Sequence, residues 1–219
     1  MASRTFDLRS LYREHPWLVA FNLAYLTIAT AAVLWRGNTE FLFYLAAMVV
    51  ILVAVLWMHR RVGFRGPVLW ALSVWGLAHM AGGLLPLPAG WPYAGDQPVW
   101  YSGWIIPDVL KYDNVVHAFG FGSCVAVCHQ AISSLFGTRH FRHAGLLSLC
   151  VFGACGLGAA NEIVEFVATL ISPDTNVGGY RNTALDLVFN LVGATAVAGC
   201  RQAGWGQPAH TAVAADAPS

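Results

Sequence analysis

The chain has 219 residues, of which 57% are hydrophobic and only 11% charged, and its mean hydropathy is +0.57. That is more apolar material than a water-soluble domain of this length needs for its core, so an ordinary globular fold in water is excluded. Twelve basic against eleven acidic residues leave a net charge of +1 with no basic arm or stripe, which speaks against a nucleic-acid partner.

Six apolar stretches follow one another: Trp17 to Trp35, Phe41 to Met58, Pro67 to Leu85, Asn114 to Phe136, Leu146 to Ile171 and Thr183 to Cys200. A helix rises about 1.5 Å per residue, so each stretch is long enough to cross a hydrocarbon core roughly 30 Å thick. The runs are continuous, whereas a membrane β-barrel alternates along each strand. The expected fold class is all-α: a polytopic membrane helical bundle of six transmembrane helices over residues 1–200. The remainder, 201–219, is rich in Ala, Pro and Gly and reads as a disordered tail. Ala29-Thr30-Ala31 imitates a signal-peptidase site, but the apolar run continues to Trp35, longer than a signal segment, so the first helix is expected to be retained. Five cysteines (Cys124, Cys128, Cys150, Cys155, Cys200) all lie in apolar runs and read as small buried residues rather than a disulfide framework.

Basic residues collect on the cytoplasmic side of a membrane protein. Arg4, Arg9, Arg13, Arg60, Arg61, Arg65, Arg139, Arg142 and Arg201 flank one side, and Arg36, Lys111 and Arg181 the other. This split predicts that both termini are cytoplasmic. On the outer side, the connection Pro86 to Tyr112 is long for a structureless loop and carries Trp91, Tyr93, Trp100, Tyr101 and Trp104. It is either a lid over a site or an aromatic belt at headgroup depth. The second outer loop, Ser172 to Asn182, contains Asp174, Gly178, Gly179 and Arg181, the glycines marking a tight path or a turn.

Six ionisable residues fall inside apolar segments: His79, Asp113, His117, Glu162, Glu165 and Asp186. Charge in hydrocarbon is costly, so a functional site is the default reading. Counted from the helix ends, all six sit in the outer half of the bilayer, within about 15 Å of the interface at 1.5 Å per residue. Asp113 and His117 are spaced i, i+4, Glu162 and Glu165 i, i+3, and Asn182, Asp186 and Asn190 i, i+4, i+8, so each set shares a helix face. Small residues on the same helices, Gly120, Gly122, Gly153, Gly156, Gly158 and Gly193 among them, allow those faces to approach closely.

His79-Met80-Ala81-Gly82-Gly83, Tyr112-Asp113-x-x-x-His117-x-Phe119, Asn161-Glu162-x-x-Glu165 and Asn182-Thr183-x-x-Asp186-x-x-x-Asn190-x-x-Gly193 together resemble the VanZ-like superfamily, and more closely a related family of six-helix bacterial inner-membrane proteins. The resemblance covers about residues 67–200. It implies a multi-pass protein of the bacterial inner membrane with a role in the cell envelope.

Four carboxylates together need neutralising, by shared protons, by Lys111 or Arg181 at the same interface, by a bound divalent metal, or by a cationic ligand. As catalytic candidates Glu162, Glu165, His117 and Asp186 could serve as acid and base. As metal ligands the candidates are His79, His117, Glu162, Glu165, Asp113 and Asp186, most simply a mononuclear Zn²⁺ or Mn²⁺ on His79, His117 and one or two acids. The Glu-x-x-His spacing of dinuclear helical-bundle sites is absent. Asn182, Asn190, Arg181 and Lys111 are substrate-binding candidates. Simpler readings stand beside these: Asp113 as a helix N-cap, Asn182 or Thr183 as another, and His79 as a hydrogen-bonding link between helices. His129 lies deeper and reads as packed, while His140 and His143 read as solvated in a short loop.

No Walker, HExxH or GxSxG motif is present, which removes the best-marked ATPase, zincin and serine-hydrolase classes. Two classes remain. One is an envelope protein acting on a lipid or isoprenoid-linked headgroup; the other is a transporter, lipid-binding or accessory protein using the same residues as a proton relay or cation site.

Overall fold

The computed structural model describes residues 8–37, 39–137, 143–171, 175 and 177–204. A short helix α1 (Leu8–Glu14) leads into α2 (Pro16–Arg36), α3 (Thr39–Val62) and α4 (Gly66–Leu84). A small hairpin follows, with β1 (Trp104–Ile106) and β2 (Leu110–Lys111), and then come α5 (Tyr112–Phe136), α6 (Ala144–Ile171) and α7 (Tyr180–Gln202). Helices α2 to α7 are each long and apolar enough to cross a membrane, as the six stretches predict. The helices overrun the apolar stretches by a few residues: α3 continues through His59, Arg60 and Arg61, and α7 starts at Tyr180 rather than Thr183. Hydropathy marks where hydrocarbon ends, whereas backbone hydrogen bonding continues into the interface. The tail 205–219, Arg4, Arg139, His140, Arg142 and Asp174 lie outside the described residues.

Helix α5 is the centre of the bundle, packing most extensively on α7 and then on α6. Phe121, Cys124 and Val125 of α5 form one core with Leu147, Cys150 and Ala154 of α6 and Ala194 and Ala198 of α7. Tyr25, Ala29 and Val33 of α2 form a second with Phe41, Met80 and Leu84. The closest approach of one helix backbone to another at a glycine is at Gly193, where an added Cβ would fall inside van der Waals contact of the Ala118 carbonyl. This is small-residue packing as the sequence predicts, since lipid tails are as apolar as leucine and close backbone contact must drive association instead. Apolar side chains accordingly face outward as well: Val49, Val50, Val53 and Trp57 on α3, and Leu149, Phe152, Ile163, Phe166 and Leu170 on α6. All five cysteines are free, Cys124 and Cys150 buried, and Cys200 is exposed rather than buried as expected. His129 is fully buried with Nδ1 3.2 Å from Arg201 Nη2, and His143 is exposed, both as read from the sequence.

The connection 86–112 is folded, which the sequence did not reveal. β1 and β2 pair antiparallel, with further bridges between Pro86 and Val99 and between Tyr93 and Gly103. Trp91 Nε1 donates to Trp104 O at 2.9 Å, and Ser102 Oγ donates to the carbonyl oxygens of Gln97 and Val99. The strands are only three and two residues long, too short for an alternating pattern to announce them, and the bridges of Pro86 with Val99 and Tyr93 with Gly103 are non-local. The hairpin joins the C-terminus of α4 to the N-terminus of α5 and therefore lies at the same end of the bundle as the polar residues of those helices.

Candidate functional site

Lys111 ends the hairpin, is buried, and organises the start of α5 and α7. Its backbone N–H donates to Asn114 Oδ1 at 3.0 Å, and its ammonium donates to Asn182 Oδ1. Both groups of Lys111 can only donate, so each amide must present its oxygen to Lys111 and turn its NH₂ inward. Asn114 Nδ2 then donates to Asp186 Oδ1 at 3.1 Å, and Asn182 Nδ2 to Asp186 Oδ2 at 2.7 Å and Asp113 Oδ2 at 3.3 Å. Two carboxylates from α5 and α7 are thereby gathered around one amide, and Asp186 and Asn114 are fully buried.

His117 lies one turn below Asp113 on the same face of α5 and is buried. Its Nε2 is 3.6 Å from Asp113 Oδ1. Its Nδ1 is 3.0 Å from Asn190 Oδ1 and 3.7 Å from Glu162 Oε1. With the amide oxygen as acceptor, Nδ1 carries the proton and Nε2 the lone pair. The i, i+4, i+8 series on α7 is thus realised as three consecutive contacts to α5. Asn190 can reach His117 because Gly158 of α6 leaves room, an added Cβ there standing 2.5 Å from Asn190 Nδ2.

Glu162 and Glu165 come from α6 on the far side of His117. Glu165 Oε1 accepts from Asn161 Nδ2 at 2.8 Å. Glu162 is 9% exposed, and neither of its oxygens has a hydrogen-bond partner among the described residues. An unpartnered buried carboxylate is costly, so Glu162 needs a proton or a cation nearby.

A cleft of about 540 Å³, part of it open to solvent, reaches this cluster from the hairpin end. It is lined by Asp113, Glu165, Lys111 and Asn182 of the cluster, by Glu40, Phe41, Tyr44 and His79 of α3 and α4, and by Tyr101 and Ser102 of the hairpin segment. His79 is held among aromatic rings, its ring centroid 5.4 Å from that of Tyr101, 6.3 Å from Tyr44 and 6.4 Å from Trp75. The Tyr101 hydroxyl is buried without a hydrogen-bond partner, and burial pushes its phenol well above the usual value, so it stays a neutral donor in the cleft.

The structure therefore brings together Asp113, His117, Glu162, Glu165, Asp186, Asn182, Asn190 and Lys111. Donor atoms of Asp113, His117 and Asp186 lie within 4.8 Å of one another, as do those of His117, Glu162 and Glu165. His79 belongs to neither group and lines the cleft instead. Arg181 is exposed, and Lys111 bonds an amide rather than a carboxylate. The capping readings are corrected: Asp113 lies inside α5, which has Lys111 at its N-cap, and α7 is preceded by Gly179, with Asn182 and Thr183 inside its first turn. Asn114, Glu40, Tyr44 and Tyr101 were not singled out as site residues from the sequence. Asn114 had a signal, since it stands i−3 from His117 on one helix face; Glu40 and Tyr44 had none, because only the packing of α3 turns them inward.

The family described as "Predicted membrane protein (DUF2238)" matches residues 16–203, a span that takes in every site residue above. No curated protein and no solved structure matches the chain.

Proposed function

Because the chain belongs to this family of membrane proteins, matched from α2 through α7, we propose that it is a multi-pass protein of the bacterial inner membrane that binds and acts on a lipid or isoprenoid-linked headgroup at its His/carboxylate site. The observation that carries the reading is the cleft: Tyr101 and Ser102 of the hairpin segment line it together with Asp113 and Glu165, which belong to the same cluster as His117 and the unpartnered Glu162. A headgroup entering from the interface meets acidic, acid–base-competent groups without leaving headgroup depth, where tyrosine and tryptophan rings also prefer to sit. A link to the VanZ-like superfamily belongs to the same proposal. The proton-relay and transport reading is less supported, since α4 to α7 run unbroken and transporters of that kind build their sites on interrupted helices.

Wild-type protein extracted from vesicles of mixed anionic, amine-headed and polyprenyl-phosphate lipids should retain one headgroup class about tenfold over its share, a preference of roughly 1.4 kcal/mol. Native mass spectrometry reads this directly, and Glu165→Gln should weaken the preference. Retention in proportion to vesicle composition sinks the headgroup reading.

The placement of this site in the outer half of the bilayer rests on the distribution of basic residues. A fluorescent reporter that matures only in the cytoplasm, fused after Ser219, is expected to be bright. A dark but expressed fusion, with an active periplasmic reporter at the same point, reverses the orientation.

A further inference from the structure

We propose that Asp113, His117 and Asp186 hold a single divalent cation, with His117 ligating through Nε2. The inference deepens the reading of the cluster as the working site but does not depend on which headgroup is bound there. It starts from Lys111. Because Lys111 turns both amides inward, Asp113 and Asp186 are held as hydrogen-bond acceptors around the Asn182 NH₂. Two carboxylates kept this close in a buried place repel one another unless a proton or a positive charge stands between them. The Lys111 ammonium is bonded to the amide oxygen of Asn182 rather than to either carboxylate.

The spacing and chemistry fit an ion. Metal–ligand bonds of about 2.0–2.2 Å put neighbouring donors of one tetrahedral ion roughly 3.3–3.6 Å apart. Asp113 Oδ1 and His117 Nε2 are already at 3.6 Å, and an oxygen of Asp186 lies within 4.8 Å of a ring nitrogen of His117 and a carboxylate oxygen of Asp113, so a small closure completes a three-ligand face. Where Asn190 Oδ1 takes the Nδ1 proton, the lone pair is left on Nε2, facing Asp113, which is the tautomer a ligating imidazole requires. Metal-bound histidines generally have the other nitrogen held by a carbonyl or carboxylate in this way, and ligating carboxylates are themselves hydrogen-bonded, here by Asn114 and Asn182. One imidazole with two carboxylates selects a borderline ion, Mn²⁺ or Zn²⁺, over Ca²⁺.

Glu162 is the second, independent indication. It is buried, aimed at the cluster, and both its oxygens lack a donor. The closest nitrogen it faces is His117 Nδ1 at 3.7 Å. A cation on Nε2 lowers the net negative charge that Glu162 shares with Glu165 and the two aspartates. The opposite choice, an ion on Glu162, Glu165 and Nδ1, would displace the Asn190 contact that the packing of Gly158 has made room for.

The test is metal analysis of the full-length protein purified in detergent without chelator, followed by titration of chelated protein with Mn²⁺, Zn²⁺ and Co²⁺. The wild type should carry about one equivalent of a divalent transition ion, and the Co²⁺ form should show visible absorption bands of mixed nitrogen and oxygen ligation. Asp186→Asn and His117→Gln should each weaken metal binding at least about tenfold and lose stoichiometric metal, since losing even a partner that supports a ligand costs about 10–100-fold. Glu165→Gln should leave stoichiometry unchanged. Two results overturn the proposal: no stoichiometric binding of any of the three ions, or binding that survives both Asp186→Asn and His117→Gln. Metal bound as described with no headgroup retained refutes the headgroup reading alone, and headgroup retained with no metal refutes this one alone.

Discussion

Replacing Gly193 by valine is expected to abolish accumulation of the folded protein. An added Cβ at this position meets the Ala118 carbonyl, a backbone group of α5 that has no alternative rotamer. Overpacking against flexible side chains costs roughly 1–3 kcal/mol, and a clash with backbone exceeds that range because two helices must separate to relieve it. The helices concerned, α5 and α7, make the most extensive contact in the bundle, so the separation is not local. It would also pull Asp186 and Asn190 away from Asn114 and His117, coupling loss of stability to loss of the site. Fluorescence-detected size-exclusion of a tagged variant measures the effect. A monodisperse Gly193→Val peak at wild-type height, with unchanged thermal midpoint, would show that the α5–α7 contact is looser than described.

Replacing Glu162 by glutamine is expected to give the reverse pattern: normal abundance and lost function. The amide is nearly the same shape, and it removes a charge from a site where neither oxygen has a donor, so folding should not suffer. An amide does not exchange a proton near neutral pH, so any acid–base role ends with the substitution. Headgroup retention, or the mass change of a retained lipid, should fall by at least about tenfold, equivalent to 1.4 kcal/mol. Glu165→Gln is the milder comparison, because Asn161 already donates to Glu165 and the amide oxygen can keep that bond. If Glu162→Gln accumulates normally and handles lipid as the wild type does, Glu162 is a packing residue and the proposed role fails.

The membrane-spanning architecture was legible in the chain alone, because hydrocarbon imposes a length and a polarity that no tertiary contact can override. Six apolar stretches became α2 to α7 with ends displaced by a few residues. The spacing of Asp113 with His117 and of Asn182 with Asp186 and Asn190 placed each set on one helix face, and periodicity is a local property. The equal depth of these residues was readable for the same reason. What periodicity cannot supply is which faces meet. Gly193 lets α7 close on α5, and Gly158 lets α6 close on Asn190 of α7 while Asn190 reaches His117, so the outcome depends on the fit of three helices at once. His79 shows the limit well: its depth matches that of His117, yet aromatic rings from α3, α4 and the hairpin hold it in the cleft wall, apart from the ligand groups. The hairpin itself was hidden, since its strands are only three and two residues long and its further bridges, Pro86 with Val99 and Tyr93 with Gly103, reach across a proline-containing segment. Its last residue, Lys111, proved to orient the two amides that gather Asp113 and Asp186, a role set by hydrogen bonds to α5 and α7 that exist only once those helices stand side by side.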